Sequence, residues 1–210
     1  RHRRERAHQK PRRVFHATSK RRTYAPLVAH RTMTPLLPDN APLATIAHSE
    51  QEKALRKKTT PFDPTQFKKG ELQALVRTMR KIMKHAQGIG LSANQVGLDL
   101  NFCIVEPPTE ATGNKRVMYA LGNLRVVKRS EEMADDEEGC LSVPGLAGMV
   151  SRYDKITVEG IDIQGKKTRV KAWGLLARIF QHEMDHLQGG LFIDKAKEVH
   201  EVSQEVSHKK

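Results

Sequence analysis

A short run near the end of this 210-residue chain, QHEMDHLQGG at residues 181–190, limits both its architecture and its chemistry. The run continues an apolar pattern at helical spacing, and Gly189-Gly190 is placed to end the helix. Residues four apart lie on one face of a helix, so His182 and His186 can direct their ring nitrogens at one cation. Glu183 lies alongside, in position to act on a water molecule at that cation. The pattern therefore indicates a helix that carries a metal site, and the alternative is two surface histidines that share a face by accident.

A second amphipathic helix is predicted upstream, in KKGELQALVRTMRKIMKHAQG at residues 68–88. Its apolar residues recur at spacings of three and four, and Gly88 is placed to end it. Strand-like segments follow at residues 101–108, 116–129 and 151–174, and Gln164-Gly165 is placed as a hairpin turn inside the last. Two helices with several strands between them predict an α+β fold rather than an alternating parallel sheet.

The positive charge of the chain is concentrated at its start. Residues 1–60 hold 15 Lys and Arg against 4 Asp and Glu, whereas residues 61–210 hold 22 against 20. We therefore predict three parts. Residues 1–50 form a basic extension rich in Pro and Arg, residues 51–195 form a catalytic domain, and residues 196–210 form a tail. In that tail Val199, Val202 and Val206 make at most a weak helical stripe.

The basic extension allows two interpretations. Its composition cannot bury enough apolar surface to offset the entropy of ordering, so we expect it to be disordered unless it is bound to a partner. It could be the remnant of an organellar targeting sequence, which is typically rich in Arg and poor in acids, and the start at Arg1 suits a processed or trimmed precursor. It could also lie on nucleic acid, with Lys and Arg neutralising phosphates.

Two other features limit the class of protein. The two cysteines, Cys103 and Cys140, cannot make a disulfide framework, so nothing indicates secretion. No apolar run approaches the ~20 residues of a membrane-spanning helix, and we expect no membrane span.

The third metal ligand decides the class of enzyme. A metzincin needs a histidine six residues after His186, but that position is Phe192. A thermolysin-like enzyme takes a glutamate from a later helix, and only 24 residues follow His186. Upstream stands EEGCLSVPG, in which Cys140 alone would be read more readily as a small core residue than as a ligand.

Two further stretches of the sequence favour Cys140 as a ligand instead of a core residue. GIGLSANQ at residues 88–95, then EEGCLS around Cys140, then QHEMDH on the helix, follow the order of the three motifs of peptide deformylases, which this sequence closely resembles. The resemblance covers about two-thirds of the chain and is greatest to the eukaryotic organellar type. It implies antiparallel sheets around a central metal-binding helix. Ser92 stands where many members have Ala, and we do not expect this position to touch the chemistry.

The resemblance also implies the site. Cys140, His182 and His186 would hold one divalent metal ion, Fe²⁺ by resemblance, although thiolate and imidazole ligands also suit Zn²⁺. Glu183 would transfer the proton, and the side chain of Gln95 with the backbone N–H of Leu141 would stabilise the oxyanion. Asp185 would be structural. The substrate-binding residues would be Gly88, Ile89, Gly90, Leu175 and Ile179. For Leu175 and Ile179, an ordinary place in the helix core is an equal alternative.

The implied function is removal of the formyl group from the N-terminal formyl-methionine of nascent organellar proteins, in the mitochondrial matrix. The partners would be N-formylmethionyl nascent peptides and, through residues 1–50, the mitochondrial ribosome or its RNA. The alternative is a deformylase-like structural or assembly subunit of a mitochondrial ribosomal particle, held to RNA by the basic arm. The retention of all the motif residues favours the enzyme.

Overall fold

A computed structural model describes residues 37–202, in which three α-helices lie against two antiparallel sheets. The helices are α1 (Ser49–Leu55), α2 (Glu71–His85) and α3 (Gly174–Leu187). The five-stranded sheet has the order β1 (Gly90–Ser92), β2 (Phe102–Val105), β3 (Tyr119–Arg129), β6 (Lys155–Asp162) and β7 (Lys167–Trp173). The three-stranded sheet has the order β4 (Met133–Cys140), β5 (Val143–Tyr153) and β8 (Val199–Glu201). The predicted α+β class is confirmed.

Helix α3 lies between the two sheets, where it contacts β1 and β7 of one and β5 of the other. Phe180 and Leu187 of this helix are fully buried. Glycine ends the helix as predicted: Gly189 has a φ of +83°, and a Cβ there would lie 2.3 Å from the backbone oxygen of Arg56. This central position makes α3 a rigid platform for the side chains that it carries.

Helix α2 forms where its periodicity predicts and buries the expected apolar face. Its end differs from the prediction. Gln87, not Gly88, takes the left-handed conformation, with a φ of +58°. The N–H groups of Gln87 and Gly88 then donate to the carbonyls of Lys84 (3.1 Å) and Met83 (2.8 Å), the bond pair of a Schellman motif. Helix α2 therefore ends one residue earlier than predicted, and Gly88 leads from it into β1.

All three predicted strand segments contain strands, and Gly165, with a φ of +82°, lies in the hairpin turn between β6 and β7. Strand β4, with the sequence MADDEEGC, was not predicted. It is acidic and mostly exposed, so it lacks the apolar alternation by which a strand is recognised. Its pairing with β5, from Met133 opposite Tyr153 to Gly139 opposite Ala147, holds it in place.

Packing extends past both predicted domain limits, residues 51 and 195. Leu37 and Ala44 are buried, and the N–H of Ala44 donates to the carbonyl of Gln95 at 2.7 Å. At the other end Val199 begins β8 rather than a helical stripe, because β5 offers it a free edge to pair with. Residues 1–36 of the predicted extension, and Val206 in the tail, lie outside the described residues.

Within residues 37–202, no helix combines the length and the apolar character that crossing a bilayer requires.

Candidate metal centre and its cavity

Strand β4 and helix α3 bring three potential ligands together. Cys140 is the last residue of β4, and His182 and His186 lie one turn apart on α3. One ligand atom from each of the three lies within 4.8 Å of the others. The Sγ atom of Cys140 is 3.1 Å from Nε2 of His186. The structure thus gathers the three residues that the sequence predicted as metal ligands.

The surroundings of the two histidines suit a cation. Burial opposes protonation of His182, but hydrogen bonds to Cys140 and Glu138 outweigh it and raise its pKa to about 10. The carboxylate of Glu138 would also favour a metal ion at this histidine. Burial instead holds the pKa of His186 well below its usual value, which leaves its imidazole neutral. A thiol and two imidazoles on one side of a cavity form the donor set of a catalytic site, which keeps one position open. The residues therefore fit a divalent metal ion.

Glu138 orients His182 through a network of buried charges. Its Oε2 atom is 2.9 Å from Nδ1 of His182, which leaves Nε2 of that ring to face Cys140. Arg152 donates twice to the same carboxylate, at 2.8 Å each, and Arg178 donates once at 2.8 Å. Asp185 accepts from Arg152 at 2.6 Å, in a supporting position. Burial would raise the pKa of Glu138, but the hydrogen bonds from Arg152 and His182 outweigh burial and hold it well below its usual value.

Glu183 is also buried beside the ligands, but its surroundings differ from those of Glu138. Burial is the main reason why its pKa is raised to about 7, and a hydrogen bond from Ser92 partly opposes that rise. The Oγ atom of Ser92 lies 2.6 Å from Oε2 of Glu183. Gly90 passes so close that a Cβ there would lie 2.3 Å from Oε1 of Glu183. Glycine at position 90 is therefore a requirement of this packing.

Gln95 lies next to the thiol of Cys140. Its side-chain Oε1 accepts from the N–H of Ser92 at 2.8 Å, which fixes the orientation of the amide. Its Nε2 then donates to Oγ of Ser142 at 3.1 Å and lies 3.8 Å from Sγ of Cys140. Leu141 directly follows Cys140 and lines the same cavity. An amide donor is thus held beside the metal-binding atoms.

A cavity of about 620 Å³ opens onto these groups, and we call it the central cavity. Ten of the eleven predicted site residues line it; His186 lies behind Cys140, fully buried. The lining predicted residues are Gly88, Ile89, Gly90, Gln95, Cys140, Leu141, Leu175, Ile179, His182 and Glu183. Leu175 is 39% exposed and so is not a core residue, whereas Ile179, at 5%, both lines the cavity and packs in the core.

Several residues of the site were missed by the sequence prediction. Glu138 stands two residues before Cys140, and that spacing on β4 was the available signal for it. Arg152 and Arg178 come from β5 and α3 and carry no local signal, since they meet only through the fold. Ser92, which we did not expect to touch the chemistry, lies with its hydroxyl against the carboxylate of Glu183.

Comparison with known proteins agrees with this geometry. The family model for polypeptide deformylase matches residues 44–202. A peptide deformylase of Halothermothrix orenii is 42% identical over 147 residues, 70% of this chain and 90% of that protein. The chloroplastic/mitochondrial peptide deformylase 1A of Arabidopsis thaliana is 37% identical over 153 residues, 67% of this chain but 57% of that longer protein.

Solved structures give the same result. The peptide deformylase of Thermotoga maritima superposes with a TM-score of 0.63 at 30% identity and covers 74% of this chain and 97% of that one. A plant peptide deformylase gives a TM-score of 0.67 at 32% identity, with 77% and 83% covered. Ligand geometry, sequence and fold all lead to one conclusion: the chain belongs to the polypeptide deformylase family.

Proposed function

We propose that this chain removes the formyl group from N-formylmethionyl peptides at one divalent metal ion held by Cys140, His182 and His186. The single observation that carries the proposal is the convergence of these three ligands with Glu183 and Gln95 on the central cavity. Fe²⁺ is the metal that the family resemblance implies, and Zn²⁺ also suits a thiolate with two imidazoles. When bound, such an ion supplies a Lewis acid and lowers the pKa of water towards neutrality.

Glu183 is proposed to handle the proton. It lies next to His182 in sequence, its carboxylate reaches the cavity, and Ser92 holds one of its oxygens. The other oxygen, Oε1, lies against Gly90, where the substrate backbone would pass. Glu183 would accept a proton from the attacking water and return it to the departing amine, as general base and then general acid. The products are formate and a free N-terminal amine.

Gln95 and Leu141 are proposed to stabilise the negative charge that develops on the formyl oxygen. The amide of Gln95 is already oriented by Ser92 and points towards Ser142 and the thiol of Cys140. The backbone N–H of Leu141 follows directly after that thiol. A donor aimed at an oxyanion typically contributes about 3 kcal/mol to the transition state.

Strand β1 is proposed to hold the substrate backbone. In the described part of the chain β1 is an edge strand, paired only with β2. Its first residue, Gly90, lines the central cavity together with the preceding Gly88 and Ile89. A free strand edge can pair with an extended peptide as an added strand. Ile89 and Leu175 are partly exposed at the cavity and, with Ile179, would surround the methionine side chain.

The test is a deformylation assay with metal-loaded protein. Formyl-Met-Ala-Ser should release formate and gain a free amine, whereas acetyl-Met-Ala-Ser, the matched control, should remain intact. The metal content of the same sample is measured, so that missing metal can be excluded as the reason for a lack of activity. No formate release from a fully metal-loaded sample would contradict the proposal.

We further propose that the protein works in an organelle, specifically the mitochondrial matrix, on nascent proteins made there. Two observations support this. A relative at 37% identity is named chloroplastic/mitochondrial, and 11 of the first 31 residues are Lys or Arg with Glu5 as the one acid. Targeting segments of mitochondria have that composition. Fusing residues 1–36 to a reporter should direct it to mitochondria, and a reporter that stays in the cytosol would contradict the proposal.

The same charge favours a second proposal for the basic extension, an association with ribosomal RNA. Each phosphate neutralised releases counterions, so such binding should weaken steeply with salt. A deletion should end at residue 36, because Leu37 is already buried in the domain. Co-sedimentation with mitochondrial ribosomes across a salt series should be lost in this variant, while deformylation of a free peptide continues. Equal co-sedimentation of both proteins would contradict the association.

A further inference from the structure

Ser92 is fully buried and joins two residues of the proposed mechanism. Its Oγ atom is 2.6 Å from Oε2 of Glu183 and 3.2 Å from the backbone oxygen of the same residue. A hydroxyl has one proton to donate, and the shorter contact to a carboxylate oxygen is the stronger hydrogen bond. Within residues 37–202, this hydroxyl is the one hydrogen-bond donor to the Glu183 carboxylate.

The same serine holds Gln95 from the other side. Ser92 is the N-cap of a 3₁₀ turn, Ala93–Val96. Its backbone N–H donates to Oε1 of the Gln95 side chain at 2.8 Å. The hydroxyl of Ser92 thus holds Glu183, while its backbone N–H holds Gln95. The position of Glu183 is linked through Ser92 to the position of Gln95.

We propose that Ser92 is a positioning residue that holds the Glu183 carboxylate and the Gln95 amide in one rigid unit. The inference rests on the proposed roles of those two residues. Proton transfer and oxyanion stabilisation act on different atoms of one formyl group, so the two side chains must keep a fixed separation during turnover. Ser92 does not line the central cavity, so it acts through its two neighbours.

Substitution of Ser92 by alanine separates the role of its hydroxyl from that of its backbone N–H. Ser92→Ala removes the hydrogen bond of the hydroxyl to Glu183 but keeps the backbone N–H that orients Gln95. Since one buried hydrogen bond to a charged group is lost, kcat should fall about tenfold. KM should stay unchanged, because Ser92 lies behind Glu183 and does not line the central cavity. Ser92→Cys, which keeps a weak donor at nearly the same volume, should restore part of the loss.

A double-mutant cycle with Glu183→Gln separates positioning from simple stabilisation of the fold. If Ser92 acts through Glu183, then adding Ser92→Ala to the Glu183→Gln protein should change the remaining turnover less than twofold. An equal tenfold loss in both backgrounds would overturn the proposal and make the hydroxyl a purely structural group. Wild-type kcat in both Ser92→Ala and Ser92→Cys would overturn it as well.

Two further measurements complete the test. Metal content of Ser92→Ala should equal that of the wild type, and loss of the metal would overturn the proposed role. Thr78→Val is the matched control, because Thr78 is also a buried hydroxyl that donates to a carboxylate, that of Asp39 at 3.0 Å, away from the central cavity. It should lower stability and leave kcat unchanged. Near-normal turnover of Glu183→Gln alone would instead remove the proposed role of Glu183, a separate failure.

Discussion

Glu138 and Glu183 are both buried carboxylates beside His182, exposed to 5% and 3%, but different partners surround them. Arg152 and Arg178 together donate three hydrogen bonds to Glu138. Glu183 receives a single hydrogen bond from a neutral hydroxyl, that of Ser92. The pKa of Glu138 is accordingly held well below its usual value, whereas burial raises the pKa of Glu183 to about 7.

The difference teaches how two buried carboxylates beside one histidine can serve two functions. A carboxylate fixed by two guanidinium groups remains an anion and orients its neighbour, so Glu138 is suited to hold the ring of His182. A buried carboxylate whose one hydrogen-bond donor is a neutral hydroxyl exchanges a proton more readily, so Glu183 is suited to reaction. Residue type and burial are the same at both positions; the partners decide the task.

The largest effect should come from removing a ligand of the metal ion beside which the two carboxylates are proposed to act. Cys140→Ala takes away one of three metal ligands and should both strip the metal and abolish turnover. Metal analysis and a formate-release assay on the purified variant check this. Full metal occupancy with full activity would show that the ligand set is wrong.

A second substitution tests how much the buried charges around Glu138 contribute to stability. Arg152→Met removes one of the two guanidinium groups that donate to the buried carboxylate of Glu138. The buried charge then has fewer partners, which should lower the free energy of unfolding by about 3 kcal/mol. Arg169→Met is the matched control, because Arg169 also pairs with a glutamate but its side chain is 67% exposed, so its loss should cost under about 1 kcal/mol. Urea unfolding of both variants measures the difference. Equal small costs would show that the buried network contributes no special stability.

A third carboxylate, Glu106, extends the comparison to a site away from the metal. Hydrogen bonds from Arg80, at 2.6 and 2.7 Å, are the main reason why the pKa of Glu106 is lowered. A folded pKa below the unfolded value of 4.5 adds stability above that value and loses it as the pH falls through the folded pKa. Glu106→Gln should therefore cost about 1 kcal/mol at pH 7, since Arg80 is half exposed.

The cost should shrink as the pH falls below 4.5 and through the lowered folded pKa, because protonation of the wild-type carboxyl then removes the charge that Arg80 stabilises. Thermal unfolding of both proteins at pH 7 and pH 3.5 provides the comparison. A gap of equal size at both pH values would assign the effect of Glu106→Gln to packing instead of charge.

The residues that follow a local pattern were predicted from the sequence. His182 and His186 are one helical turn apart, and the motif around Cys140 could be matched to a family, so the candidate ligands were found before the fold was known. Helix α2 was predicted because its apolar period of three to four is regular. Its last turn was predicted less well, since any residue that tolerates a positive φ, here Gln87, can end a helix.

The residues that meet only through tertiary structure could not be predicted. Arg152 reaches Glu138 across the β4–β5 pair, and strand β4 itself is too acidic to show a strand pattern. Strand β8 forms because β5 has an open edge, which is a property of the sheet and not of the segment around Val199. The importance of Ser92 likewise appears only when helix α3 is placed against β1.

The central claim is that Glu183 carries the proton while Glu138 holds a metal ligand, and one paired measurement tests it most directly. Glu183→Gln and Glu138→Gln are purified identically, and metal content and turnover per bound metal ion are measured for each. Glu183→Gln should retain the metal and lose about 100-fold or more in kcat. Glu138→Gln should lose about 10- to 100-fold in metal affinity and keep most of its turnover per metal ion. Loss of metal from Glu183→Gln, or near-normal turnover by it, would contradict the division of tasks between the two carboxylates.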